Sequence, residues 1–363
     1  MKQVVDLTCC RALFALGVFT YHVNLQSNYA ELLGVAGPLV HAGFLGVDGF
    51  FILSGIVLAY AHRSFSTTLA ESRLFLLKRL VRIYPVHLAT IALFMALFAS
   101  SLLFGVSPRE PDRFGLDELV RHLMLIHAWG FSDRWAWNYP SWSISAEWAG
   151  YLVFPLLWPR LRDANPVLLA AILVLAAVAE FVAQWIGVQW RMSLTFDGGL
   201  LRFYPEFIAG MATVPLIPAM ARRLPASILL LASVVCIGVG TLVLHGAVML
   251  VICGLWMLLT GLLLRSTQGG GPILGWIPGA RTFGELSYSF YMSFAFVETV
   301  QAKLWRSQHL LAGDQKLLYG VTTFALTLAV SLLLWNGIEK PALRAFARRR
   351  NSPRAIRTSS ATM

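Results

Sequence analysis

Long apolar runs alternate with short polar breaks along the whole chain. A helix that crosses a bilayer needs about 20 mostly apolar residues. Ten runs meet that requirement: 4–24, 43–62, 83–105, 143–158, 166–186, 199–218, 226–244, 246–264, 282–300 and 317–337. The stretch 119–131 is shorter and holds Arg121, His122 and His127, so it predicts a re-entrant or interfacial helix. The expected fold class is therefore all-α, a polytopic integral membrane bundle of about ten transmembrane helices. No internal repeat or second domain interrupts it. The membrane domain is expected over 1–344, and the Arg-, Ser- and Thr-rich segment 345–363 is expected to be a disordered basic cytoplasmic tail.

Composition agrees. Of 363 residues 57% are hydrophobic and only 13% are charged, with a mean hydropathy of +0.67. Soluble proteins carry about 25% charge, so these charges are too few to cover soluble domains of this size. The net charge of +11 and pI near 9.9 do not point to nucleic acid once the basic residues are placed. They gather in 63–82, after 218, in 265–281 and in the tail from 340, where Lys340 and six arginines meet no acid. The loop 106–118 is net negative. Cytoplasmic loops collect Lys and Arg, and ten crossings put every basic segment on one side with both termini. That predicts cytoplasmic termini, with 301–316 (Lys303, Arg306, Lys316) as the segment that fits least well. Asp6 and Arg11 break the first run, so it does not read as a cleavable signal. Cys9, Cys10, Cys236 and Cys253 all sit in apolar stretches and read as buried thiols, without disulfide or metal spacing.

An ionisable side chain inside a spanning helix is costly and is a functional candidate by default. Arg11 and His22 are eleven residues apart, which puts them on one helix face and about 16.5 Å apart along the axis. One helix thus presents a fixed cation and, further along, an imidazole suited to general-base chemistry. The same residues could be an arginine reaching headgroups and an interfacial histidine. Asp48 opens the second run, where Gly49 and Gly55 read as close-packing positions. Lys78, Arg79 and Arg82 form a basic cluster at a predicted membrane surface, fit for phosphate or for simple anchoring. Ser143 and Glu147 share a face, and Glu147 needs a partner from another span. A carboxylate that orients a histidine is a known arrangement, so His22 or an Arg is the natural partner. Arg202 and Glu206 are expected to pair within one helix, while Glu180, Glu298, His62 and His87 read as interfacial. His309 and Asp314 match an H-x4-D acyltransferase pattern, but in 363 residues a single match is what chance allows. No P-loop, G-x-S-x-G elbow or H-E-x-x-H occurs.

Taken together, several motifs resemble a known family. Arg11 to His22 fits R-x10-H, Gly46 to Gly55 fits G-V-D-x-F-F-x-x-S-G, and Phe75 to Pro85 fits F-x-x-x-R-x-x-R-I-x-P. Trp142 to Glu147 fits W-S-x-S-x-E, followed by Tyr151 and Phe154-Pro155. Phe203 to Gly210 holds P-E-F-x-x-G, and Glu339-Lys340-Pro341 closes with E-K-P. In this order they resemble the integral-membrane acyltransferase-3 family of bacterial O-acyltransferases. One departure stands out: where many members read S-Y-S-x-Y-L-W-H, Ser287 to Phe294 has neither the Trp nor the His.

The resemblance implies a multi-pass protein of the bacterial inner membrane that takes an acyl group, usually acetyl, from cytoplasmic acyl-CoA. The acceptor it implies is a hydroxyl of a cell-surface glycan, a lipid-linked saccharide or a secondary metabolite. No metal and no nucleic acid enter. Carried over, His22, Glu147 and Arg11 are the catalytic candidates. Arg79, Arg82 and Lys78 are the candidates for the coenzyme A phosphates, and Asp48, Ser143 and Tyr288 are supporting residues. In the expected mechanism His22, oriented by Glu147, deprotonates the acceptor hydroxyl. The alternatives are transient acylation of His22, or a transporter or flippase without chemistry. The paired broken segments in matching halves that a transporter would show are missing.

Overall fold

The computed structural model describes residues 4–105, 110–242, 247–307 and 315–350. Lys2, Arg109, His309, Asp314 and the tail beyond 350 lie outside them. The described residues are mostly helical and form no strand. Ten helices of 16 to 35 residues overlie the ten apolar runs: α1 Val5–Ser27, α2 Gly46–Ala61, α3 Leu69–Leu103, α4 Trp142–Arg162, α5 Pro166–Trp190, α6 Gly199–Arg223, α7 Ala226–Leu242, α8 Val248–Thr267, α9 Ala280–Ser307 and α10 Gln315–Leu334. Six segments have the length and hydropathy to cross a membrane: Tyr29–Ala61, Leu69–Leu103, Pro166–Trp190, Gly199–Arg223, Val248–Thr267 and Gln315–Arg349.

Local signals explain several ends. Thr68 caps α3 by accepting the Glu71 N–H, and Asn165 Oδ1 accepts the Leu168 N–H at 2.9 Å ahead of Pro166 at the start of α5. Such caps satisfy donors that a helix start leaves unpaired. The helix expected over 119–131 is instead Leu116–Leu123, eight residues long, followed by turns. Its start shifts because Asp117 and Glu118 suit a first turn, and it ends ahead of Leu125, whose φ of 57° no helix continues. At the other end, a five-residue π-helix, Trp335–Glu339, joins α10 to a helix over Lys340–Arg350. Residues 345–350, expected to be disordered, are therefore helical.

The central pairs are α1 with α9, α2 with α6, and α6 with α5 and α4, while α7 packs on α8 to one side. Small residues set one approach. A Cβ on Gly55 would lie 2.2 Å from the Phe207 carbonyl oxygen, and one on Gly210 would lie 2.3 Å from that of Ile52. Gly49 similarly faces the Phe14 ring. The close-packing reading of both sequence glycines holds. The thiol reading holds for Cys9 and Cys10 only, since Cys236 is half-buried and Cys253 is exposed, on helices with one face turned outward.

Candidate functional site

α1 and α9 run side by side in the same direction, and their side chains meet in matched rungs. The Arg11 Nε donates to Ser287 Oγ at 3.3 Å. The Phe19 ring lies 5.3 Å from Phe290, His22 lies 5.2 Å from Phe294, and Gln26 Nε2 donates to Glu298 Oε1 at 2.7 Å. Eleven residues separate Arg11 from His22 and Ser287 from Glu298, so the shared face read from the spacing is the face turned to α9.

The cytoplasmic-motif residues converge on one cavity of about 120 Å³. Arg11, Arg79, Arg82, Glu147, Ser143 and Tyr288 all line it. Lys78 does not. The three guanidinium groups are held differently. Arg82 is paired with buried Glu339, which also accepts the Ser289 hydroxyl at 2.5 Å. The π-turn matters here, because it ends on Glu339, and an inserted residue of this kind re-aims the side chain that follows. Arg11 is held by Ser287. Arg79 lies over the Phe75 and Tyr151 rings at 5.7 and 6.0 Å, and its buried Nε has no hydrogen-bond partner among the described residues. The Tyr288 hydroxyl donates to the Ile83 carbonyl, fixing α3 against α9 beside the arginines. With Glu147 and Glu339 as the local acids, the cavity keeps one positive charge in surplus, and planar guanidinium groups favour phosphate.

Glu147 does not orient His22. Its Oε1 accepts from Ser54 Oγ at 2.8 Å on the cavity wall, because the first turns of α4 face α2. The partner of His22 is Tyr139, whose hydroxyl is 3.3 Å from Nδ1 and 2.5 Å from Glu298 Oε2. Glu298 is 2% exposed, and Glu180 and His87 are buried as well, so these side chains face protein and not the surface. His22 itself lies outside the cavity lining. The rings of Phe50, Tyr291 and Phe294 stand in sequence between them, with centroids 6.0 and 5.7 Å apart. Tyr291 is fixed by Ser143 Oγ at 2.9 Å and the Pro140 carbonyl at 3.1 Å.

The segment that delivers Tyr139 is tied down residue by residue. Asn138 Nδ2 donates to the Met292 carbonyl at 3.0 Å and to Thr90 Oγ1 at 3.1 Å. Trp137 has φ 40°, a costly conformation for a bulky residue. It is held there by its N–H on the Arg113 carbonyl at 3.1 Å, its indole N–H on Gly115 at 3.1 Å and Arg113 Nη2 on its own carbonyl at 2.9 Å. Buried His87, His122 and His127 stack beneath this loop, and His127 Nε2 bonds Ser141 Oγ at 3.0 Å.

Asp48 goes elsewhere. Its carboxylate takes two bonds from Arg202, so the expected Arg202–Glu206 pair within α6 gives way to a bridge between α2 and α6. Carboxylate oxygens of Asp48, Glu180 and Glu206 lie within 4.8 Å of one another, all buried.

The sequence profile of the acyltransferase-3 family, described as an acyltransferase domain, matches residues 4–336. The chain belongs to this family. Among curated proteins, Acyltransferase MdmB of Streptomyces mycarofaciens is 36% identical over 177 residues, 46% of this chain and 41% of that protein. The chain thus aligns with less than half of this family relative's length. No solved structure matches. Phe294, which stands where the S-Y-S-x-Y-L-W-H resemblance breaks down, packs on His22. Tyr139 and Glu298 escaped the sequence reading. The signal for Glu298 was present, since its eleven-residue offset from Ser287 repeats the offset of Arg11 and His22.

Proposed function

We propose that the protein is a multi-pass membrane acyltransferase with ten crossings and cytoplasmic termini. It moves an acyl group, acetyl in the simplest case, from cytoplasmic acyl-CoA to a hydroxyl of a cell-surface or lipid-linked carbohydrate. The observation that carries the reading is the convergence of Arg11, Arg79 and Arg82 on one cavity, with His22 further along the same α1 face. The arginines take the donor's phosphates, with Arg79, whose Nε lacks a protein partner, as the principal contact. The pantetheine arm then follows α1 over the roughly 16 Å between Arg11 and His22, past the Phe50–Tyr291–Phe294 rings.

At His22, Nε2 accepts the proton of the acceptor hydroxyl as its oxygen attacks the thioester carbonyl. The C–O bond forms, the C–S bond breaks, and the proton returns to the departing thiolate. A base placed this way contributes about 10²–10⁴ in rate. Glu147 belongs to the donor cavity in this mechanism. The test is thiol release and label transfer from radiolabelled acetyl-CoA by the purified protein in proteoliposomes supplied with membrane saccharide. Wild type turns over and His22→Ala does not; full transfer by His22→Ala would defeat the reading.

A further inference from the structure

We propose that Tyr139 and Glu298 are the positioning residues of the His22 base. The Tyr139 hydroxyl fixes the histidine proton on Nδ1, and the Glu298 carboxylate balances, through that hydroxyl, the charge that forms when Nε2 accepts a proton. The inference rests on the reading of His22 as general base and adds to it the group that makes the base competent.

The argument is one of counting protons. A phenol has one O–H to donate and lone pairs to accept with, while an ionised carboxylate only accepts. The Tyr139 hydroxyl donates to Glu298 Oε2, so its one proton is committed to Glu298. The contact between Tyr139 Oη and His22 Nδ1, 3.3 Å, must then run the other way, with Nδ1–H donating to the phenol oxygen. That assigns the tautomer from the network and leaves the lone pair on Nε2, where a general base needs it. During transfer Nε2 gains the hydroxyl proton and later gives it to the thiolate. Nδ1 and Tyr139 keep theirs throughout.

Glu298 is itself fixed. Gln26 Nε2 donates to Oε1 at 2.7 Å, and Arg306 Nη2 donates to Gln26 Oε1 at 2.5 Å, which sets the orientation of the amide. The charged and titratable groups facing this line are Arg113, whose guanidinium lies 5.4 Å from the centroid of the Tyr139 ring, Arg306 on α9, Tyr319 on α10 and Tyr21 beside His22 on α1. No other carboxylate bonds His22 or Tyr139 among the described residues, so the imidazolium has one anion to rely on. A chain of hydrogen bonds in a low-dielectric interior polarises along its length, so Glu298 acts on His22 without touching it.

A purely structural carboxylate would join α1, α9 and the 139 segment without altering where the proton of His22 sits. The test therefore reads that proton directly and needs no substrate. Full-length protein with ¹⁵N-labelled histidine is titrated in proteoliposomes by solid-state NMR, with His22→Gln identifying the His22 signals. Neutral wild-type His22 carries its proton on Nδ1. Tyr139→Phe keeps the ring against His22 and Arg113 but populates both tautomers. Glu298→Gln lowers the titration midpoint of His22 by about one pH unit, a tenfold change, and Glu298→Asp restores it in part. The double variant shifts no further than the larger single one, since both residues act on one line. An unmoved tautomer and midpoint overturn the proposal. Should Glu298→Gln fail to fold, Tyr139→Phe still decides through the tautomer. The two ideas fail separately: transfer by His22→Ala removes the base role, whereas an inactive His22→Ala with unmoved NMR signals removes only the relay.

Discussion

Arg202 grips Asp48 at two points across the α2–α6 interface, Nε to Oδ1 at 2.7 Å and Nη2 to Oδ2 at 2.5 Å. Arg202 bonds only Asp48 of the three clustered carboxyl groups; Glu180 takes one bond from Gln184, and both Glu206 oxygens have no hydrogen-bond partner among the described residues. Removing one partner of a buried pair costs about 3–5 kcal/mol because the other charge is left behind. Arg202→Met strands Asp48 beside two further buried acids and should show that loss in full. Asp48→Asn should cost clearly less, because Glu206 is at hand to take the guanidinium. Thermal unfolding of the two variants in one detergent checks the order; equal losses would contradict it.

The arginines of the cavity should separate by function. Arg79→Ala leaves no ion partner stranded and should raise the KM for acetyl-CoA roughly 10- to 100-fold at unchanged thermal stability, the loss of about 1.5–3 kcal/mol from a charged hydrogen bond. Arg82→Ala strands Glu339 and should lower stability as well as donor binding. An unchanged KM in Arg79→Ala would remove it from the phosphate site.

Glu147→Gln should leave the His22 titration midpoint unmoved, since Glu147 bonds Ser54 on the cavity wall. Its effect should fall on the KM for the donor. A midpoint shift as large as that of Glu298→Gln would restore Glu147 as the partner of His22.

Gly55→Ala places a methyl 2.2 Å from the Phe207 carbonyl oxygen and should force α2 and α6 apart, with a cost of about 1–3 kcal/mol from overpacking. Gly238→Ala, where a Cβ would meet nothing within 4 Å, is the control and should be neutral. Melting temperatures of the two variants decide.

Much of the architecture was legible because the bilayer imposes one pattern: a run of apolar residues predicts a helix whatever it packs against. All ten runs lie on helices for that reason, and the Arg11–His22 spacing gave their common face because helix geometry is regular. Partner choice was not legible. Arg202 and Glu206 are neighbours in sequence, yet the guanidinium leaves its own helix for Asp48, which only the α2–α6 contact brings near. Glu147 has the spacing of an orienting acid, but the loop before α4 turns it to the arginine-lined cavity and sends Tyr139 to His22. That loop follows bonds to Met292, Thr90 and Arg113, none of which has a local sequence signature. The eight-residue helix 116–123 is short because a single left-handed residue, Leu125, stops its continuation.

The bridge from Arg82 to Glu339 spans 257 residues of sequence. Helices are inserted in the order in which the ribosome makes them, so the arginine-lined cavity is complete only once the segment carrying Glu339 has been made. A chain cut before residue 339 lacks the carboxylate that bonds both Arg82 and Ser289. Without that carboxylate the Arg82 guanidinium keeps its place on α3 but loses the partner that fixes its direction.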